Sequence, residues 1–470
     1  MEVTTPDFKN KADTALADGD LQDALGLFKY GFLSKRAEAI AAFPGFEKSR
    51  DAAKDIKDRV LANLDHYLER YEAKVLEQGG HVHWARDSAE ACRIVHDLCR
   101  EEDARTVTKS KSMIGEEVGV NEALEAAGIE VVETDLGEYI IQLAGEPPSH
   151  IIGPAVHKTK DQVSDLFVAH HAKYGKTERL TVPADMVAEA REVLRGRYFE
   201  ADVGITGANF LIAETGSSVI VTNEGNGDLT QVLPRTHIVL TSLEKIVPTL
   251  DDAATLLRVL GRSATGQDMS AYTTISTGPR RPGEEDGPEH YHVILLDNGR
   301  TGLLGTPFQE ILRCIRCGAC MNHCPIYTAI GGHAYGWVYP GPIGAALSPA
   351  LIGIAAAGHP ANASTFCGRC ESVCPMRIAL PKIMRHWRNK EFEAGLAPVR
   401  WRVGLGLWAW LARRPRLYRL AGRLAIVVLA MLGNRKGRFR RLPFAAGWTG
   451  GRDLPAPEGG TFQSLWAARR

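Results

Sequence analysis

Cys314-Ile-Arg-Cys317-Gly-Ala-Cys320-Met-Asn-His-Cys324-Pro325 decides how the second half of this chain folds. Its spacing is C-x₂-C-x₂-C-x₃-C-P, the bacterial ferredoxin run, in which three thiolates grip one [4Fe–4S] cube and the fourth ligates the neighbouring cluster. Two residues between cysteines let a tight loop wrap one face of a cube, and the proline turns the chain towards the next. Gly318 removes a side chain where backbone is expected to approach inorganic sulfide. A shorter run, Cys367-Gly-Arg-Cys370-Glu-Ser-Val-Cys374-Pro375, keeps the last three positions of the pattern, and Ser364 stands where its first cysteine would be.

The crossover rule then divides the seven cysteines. The first cluster takes Cys314, Cys317, Cys320 and Cys374; the second takes Cys324, Cys367 and Cys370. The fourth iron of the second cluster is left to Ser364, to a solvent or substrate atom, or to no ligand in a [3Fe–4S] form. Zinc fits poorly, because it prefers four ligands in a closed tetrahedron and seven thiols with two C-x₃-C-P endings do not divide that way. Two clusters sharing crossed ligands imply one-electron transfer. The other two cysteines, Cys92 and Cys99, lie seven apart on an expected helix and read as small apolar core residues.

Working outward towards the N-terminus, apolar side chains recur at helical spacing from Val60 through Leu61, Leu64, Leu68, Tyr71 and Val75 until Gly79-Gly80 stops the helix. A strand at His81–Trp84, a helix from Ala89 to Arg100 capped by Asp87 or Ser88, a strand at Thr106–Thr108, a helix ending near Ala127 and a strand at Ile129–Val132 follow in turn. This alternation predicts βαβ units and a mainly parallel sheet. Strand His237–Leu240 and helix Asp251–Leu260 continue it. Phe210–Ala213 and Ser218–Thr222, joined through Glu214-Thr-Gly-Ser217, predict a hairpin. Gly278 to Pro288 reads as an exposed loop before a last strand at Val293–Leu296.

The expected domains are a helical N-terminal arm at 1–59, an α/β domain at 60–300, a helical double-cluster ferredoxin-type domain at 301–390 and a basic C-terminal region at 391–470. A Gly/Ala/Pro-rich insert, Gly331 to Asn362, separates the cysteine runs. Lysine plus arginine equals aspartate plus glutamate at 56 each, so charge offers no reason to expect nucleic acid. Basic residues nevertheless cluster in the tail, at Arg413, Arg414, Arg416, Arg419, Arg423 and Arg435 to Arg441, with Trp401, Trp408 and Trp410 among them. Such a surface suits docking to a partner protein or contact with a membrane surface. Apolar stretches Val403–Ala412 and Leu424–Gly433 have ten residues each, half of the ~20 needed to span a bilayer, and Pro342, Ser348 and Pro349 interrupt the longer uncharged run Gly341–Gly358. No secretory signal precedes them, and a cytoplasmic chain is expected.

Within the α/β domain the turns Gly204-Ile-Thr-Gly207 and Glu224-Gly-Asn-Gly-Asp228, with Lys109, Lys111 and Arg235, are candidates for an anion site. None is a G-x-G-x-x-G opening a helix, so a nicotinamide site is not expected. Glu214 is a candidate carboxylate nucleophile or a turn stabiliser. His81 with His83, and His290 with His292, share strand faces but lack a third nearby ligand.

Thr108-Lys-Ser-Lys-Ser-Met113, Glu214-Thr-Gly216, Leu233-Pro-Arg-Thr-His237, the two cysteine runs and the Arg/Trp-rich tail together resemble the LutB family, the iron–sulfur proteins of the three-component L-lactate utilisation system. The resemblance covers nearly the whole chain. It implies a lactate-utilisation domain similar in fold to the sugar-isomerase and CoA-transferase class. It also implies two [4Fe–4S] clusters, and electron transfer in a complex that oxidises L-lactate to pyruvate with other subunits and an acceptor chain as partners. The cysteine runs alone are shared with iron–sulfur subunits of glycolate oxidase, glycerol-3-phosphate dehydrogenase and heterodisulfide reductase. A different 2-hydroxyacid or glycerol-3-phosphate dehydrogenase is therefore the alternative, with a CoA-transferase-like enzyme acting through Glu214 behind it.

Overall fold

The computed structural model describes residues 2–433, 437–442, 449, 452–457 and 459–469, with the side chains of 28–30 left aside. The chain divides into two units, Met1–Glu391 and Phe392–Arg470.

The first unit is organised on a six-stranded sheet in which every neighbouring pair is parallel. Its strands are β1 (His81–Ala85), β2 (Thr106–Lys109), β3 (Glu130–Glu133), β4 (Val203–Thr206), β7 (Thr236–Ser242) and β10 (His290–Leu296), in the order β1-β10-β7-β4-β2-β3. A second, four-stranded sheet holds β5 (Phe210–Ile212), β6 (Ser217–Thr222), β8 (Ile246–Val247) and β9 (Tyr272–Ser276), in the order β8-β5-β6-β9. β5 and β6 form an antiparallel hairpin.

Side-chain alternation along the central strands explains why they are apolar throughout. On β10, Tyr291, Val293 and Leu295 enter a core with Leu64, Leu68, Tyr71 and Val75 from helix Leu64–Glu77. Ile294 and Leu296 enter the opposite core, with Val95, Leu98 and Cys99 from helix Ser88–Glu101. Both faces are covered, as parallel sheets require. Asp87 caps that second helix by accepting from the Glu90 N–H at 2.9 Å. Cys99 is fully buried in the core, and the half-buried Cys92 thiol donates to the Val118 carbonyl at 3.3 Å. The smaller sheet repeats the alternation: Leu211 and Ile246 face the first core, whereas Phe210, Ile212, Val219 and Val247 join the large core of the cysteine-rich segment.

That large core is built from elements distant in sequence. Helices Phe8–Ala17, Gly19–Ala41 and Phe46–Leu61 pack onto the cysteine loops. Arg36 donates to the Val373 carbonyl at 3.0 Å, and Arg50 to the Cys374 carbonyl at 2.6 Å. The insert between the cysteine runs carries the buried helix Gly341–Leu351, which tolerates Pro349 in its last turn. Its lack of charge reflects the burial of Gly341 to Pro349.

In the second unit, helices Val399–Ala412 and Pro415–Leu432 have no buried residue. No described helix is long and apolar enough to cross a membrane. Of the basic cluster expected at Arg435 to Arg441, residues 435 and 436 lie outside the described residues.

Candidate functional site

Two cavities divide the seven cysteines. One is lined by Cys314, Cys317, Cys320 and Cys374, the other by Cys324, Cys367 and Cys370 together with Ser364. Helix Gly341–Leu351 stands at both, offering Ile343 to the first and Gly341, Pro342 and Ala345 to the second. Cys367 is exposed, so the second cavity reaches the surface.

The two runs share a backbone as well as a spacing. Arg316 and Phe366, each preceding a cysteine, have φ of 58° and 54°; the glycines two residues on, Gly318 and Gly368, have φ of 70° and 77°. The left-handed conformation accounts for both glycines. At Gly318 there is also no room, because a Cβ would lie 2.9 Å from the Ile152 side chain. The chain segment packed there is thus one expected from neither the motif nor its cluster. In the first run the Arg316 N–H points at the Cys314 Sγ at 3.4 Å; in the second the Phe366 N–H donates to the Ser364 Oγ at 3.2 Å. Ser364 therefore occupies the three-dimensional place of a first cysteine, not only its sequence position.

Burial pushes the Cys317 and Cys370 thiols up to about 12 and Cys374 up to about 11, with neighbouring cysteines adding to the rise. Thiols gathered at this density suit metal, whose charge stabilises the thiolate that burial disfavours. The donor set fits iron–sulfur clusters: sulfur ligands, four in one cavity and three with a hydroxyl in the other.

A third cavity, of about 240 Å³, abuts the first through Arg316 and Cys317. It lies beyond the carboxyl ends of β2, β4 and β7, lined by Lys111, Ser112, Gly207, Asn226 and Lys245 among others. Of the anion-site candidates, Lys111 and the Glu224–Asn226 turn reach this cavity. Lys109 does not. It is fully buried in ion pairs with Glu116 at 2.8 Å and Glu133 at 2.7 Å; burial alone would lower its pKa, but the carboxylates outweigh it and hold the ammonium above its ordinary value. Arg235 sits at the opposite end of the sheet, just before β7, paired with Glu102. Gly204-Ile-Thr206 is strand β4 and not a turn, leaving only Gly207 at the cavity.

Glu214 accepts a hydrogen bond from the Leu250 N–H at 2.6 Å, at the start of helix Leu250–Ala264. This contact ties the hairpin to the helix. His83 and His292 face each other at 3.1 Å, and His81 stacks on His292 with ring centroids 5.0 Å apart. Among the described residues the one trio placed for a cation is Glu146, His157 and His333, and there both His157 nitrogens are engaged, by Glu146 and Ser149 at 2.8 Å each. Sequence reasoning missed Lys245 and Arg316. Their neighbours in space come from other segments, and no local pattern marks them.

Comparison with known proteins agrees with this architecture. A family described as LUD domain matches residues 68–296, and one described as 4Fe-4S dicluster domain matches residues 310–378. Lactate utilization protein B of Bacillus licheniformis is 41% identical, the alignment covering 100% of this chain and 98% of that protein. The chain belongs to the lactate utilization protein B family. The relative of the same name from Bacillus subtilis is 39% identical over 100% of this chain and 98% of its own length. Family membership and the parallel sheet bear out the expected order of a lactate-utilisation α/β domain followed by a dicluster domain. A crystal structure of a DUF162 family protein from Deinococcus radiodurans aligns with 50% of this chain and 98% of its own at 13% identity, with a TM-score of 0.28.

Proposed function

We propose that the chain is the iron–sulfur electron-transfer subunit of a multi-component complex that oxidises L-lactate to pyruvate. The observation that carries this reading is the pair of adjoining cysteine-lined cavities with their crossed membership: Cys324 leaves the first run for the second cavity, and Cys374 returns from the second run to the first. In this reading Cys314, Cys317, Cys320 and Cys374 hold one [4Fe–4S] cluster, and Cys324, Cys367 and Cys370 hold another. Such clusters, when bound, accept and release electrons one at a time. The relatives' name, lactate utilization protein B, supports lactate as the electron source.

The protein's own residues have three tasks. Arg36 and Arg50 clamp the carbonyls of Val373 and Cys374, which keeps the crossing loop in place. Helix Gly341–Leu351 gives both cavities an uncharged wall. Exposed Cys367 brings one cavity to the surface, where a redox partner has access. Helices Val399–Ala412 and Pro415–Leu432 expose Trp401, Trp408, Leu420 and Met431, an apolar surface in keeping with attachment to further subunits.

The test is EPR of the complex purified with its partners. Addition of L-lactate is expected to generate reduced-cluster signals, and signals from glycolate or glycerol 3-phosphate in place of lactate would move the protein to another dehydrogenase. Substituting Ser364→Cys is expected to complete the second ligand set. An oxidised [3Fe–4S] signal from that site should then be replaced by a second reduced [4Fe–4S] signal, whereas an unchanged spectrum would show that position 364 does not face the open iron.

A further inference from the structure

Three lysines are buried among the described residues, and two of them are fully partnered. Lys57 donates to the carbonyls of Glu244 and Ile246, and Lys109 lies between its two carboxylates. The third, Lys245, is 6% exposed and takes no hydrogen bond or ion pair among the described residues. It lines the 240 Å³ cavity. Burying an ammonium without a hydrogen-bonded partner is costly. Lys111, half-buried on the same cavity, likewise makes no hydrogen bond or ion pair among the described residues.

Nearby acids act on these lysines only through space, Glu244 on Lys245 and Glu224 and Glu138 on Lys111, with no hydrogen bond or ion pair to either among the described residues. Asp135 accepts from the N–H groups of Gly137 and Glu138 at 2.9 and 3.1 Å, and Glu224 from that of Leu136 at 3.3 Å, so both are committed to the start of helix Leu136–Ala144. Glu244 next to Lys245 is taken by Arg300 and Arg316.

Topology adds an independent argument. The chain passes from β2 outward to β3 at one edge, then returns on the other side of β2 to β4. β2 and β4 thus flank the point where strand order reverses, and in open parallel sheets ligands bind outside the carboxyl ends of the strands at such a point. Lys111 follows β2 by two residues, and Gly207 follows β4 directly.

We propose that this cavity is a binding site for a small organic carboxylate, its anionic group received by Lys245 and Lys111. The inference rests on the lactate reading for the carboxylate's source and goes beyond it in placing the site on this chain, where Arg316 and Cys317 line both it and the first cysteine cavity. Ser112 and Asn226 are available on the same lining for a hydroxyl or keto oxygen.

The test is calorimetric titration of the reconstituted full-length protein with L-lactate, pyruvate and inorganic phosphate in separate runs, repeated for Lys245→Met and Lys111→Met. Lactate or pyruvate is expected to bind the parent protein, and each substitution to weaken that binding by at least about tenfold, the value of one charge-assisted hydrogen bond. Lys245→Met should also show a ligand-free thermal midpoint no lower than the parent's, because it removes an unpaired buried charge while keeping the volume. Variants that bind carboxylate like the parent, binding of phosphate alone, or no binding of any probe would each overturn the proposal. Lactate-dependent EPR of the complex is scored separately: cluster reduction without carboxylate binding to this chain removes the site and leaves the electron-transfer reading, and binding without reduction does the reverse.

Discussion

Replacing Cys374 by alanine is expected to abolish the first cluster while the second survives. In sequence Cys374 closes the second run, four residues after Cys370, and a chain in which each run served its own cluster would lose the second instead. The fold places its thiol with Cys314, Cys317 and Cys320, and its carbonyl is clamped by Arg50 at 2.6 Å. Iron content should fall by roughly half, since each cavity is read as holding one cluster. EPR of the dithionite-reduced variant should retain a single uncoupled signal. The matching variant Cys324→Ala should spare the first cluster. Loss of the second cluster from Cys374→Ala, with the first intact, would falsify the crossed assignment.

A second large effect is expected from Glu117→Ala, at a residue that lines neither cysteine cavity. Glu117 is fully buried and accepts from Arg300 at 2.7 and 2.9 Å, from Asn298 at 2.7 Å and from the Tyr339 hydroxyl at 2.6 Å. Arg300 in turn pairs with Glu244 at 3.1 Å, and Glu244 with Arg316 at 3.3 Å. This chain of charges joins the helix after β2, the loop after β10, the insert and the first cysteine loop. Removing Glu117 leaves the Arg300 guanidinium buried with one carboxylate where two stood, which should cost about 3–5 kcal/mol. Urea unfolding followed by tryptophan fluorescence measures it, and a loss below about 1 kcal/mol would show the network to be energetically idle.

The same network sets an acid limit. Burial alone would raise the Glu244 carboxyl, but Arg300 and Arg316 outweigh it and hold its pKa down at about 2, below the ordinary 4.5. A depressed carboxyl contributes stability that is present above its unfolded value and lost as protons bind the unfolded chain first. Stability should therefore decline as pH falls from about 4.5 towards 2, and Glu244→Gln should flatten that decline while lowering stability at neutral pH.

Much of this protein is legible along the chain. The C-x₂-C-x₂-C-x₃-C-P run and its shortened echo are local because a tight loop must wrap each cluster within a dozen residues. Strand and helix alternation from His81 to Leu296 is equally local, since a sheet buried on both faces needs apolar runs flanked by caps and glycines. The insert around Gly341–Leu351 was readable only as uncharged. That it walls both cysteine cavities depends on contacts with Met321, Tyr327 and Trp387, which lie in separate segments.

The lysines show the boundary most clearly. In sequence Lys109 and Lys111 are equivalent, two basic residues at the end of one strand, and Lys245 has no feature at all. Strand β2 directs Lys109 inward to Glu116 and Glu133, the following turn sends Lys111 to the cavity, and the segment after β7 brings Lys245 there with no hydrogen bond or ion pair among the described residues. The sequence by itself determined the cysteine ligand spacing, the parallel α/β sheet and the order of the domains, because each follows from residues close together along the chain. Only the tertiary structure decided that Ser364 stands in a cysteine's place and which lysine is left unpaired, because charge pairing and cavity shape are set by residues tens to hundreds of positions apart that meet only when the core closes.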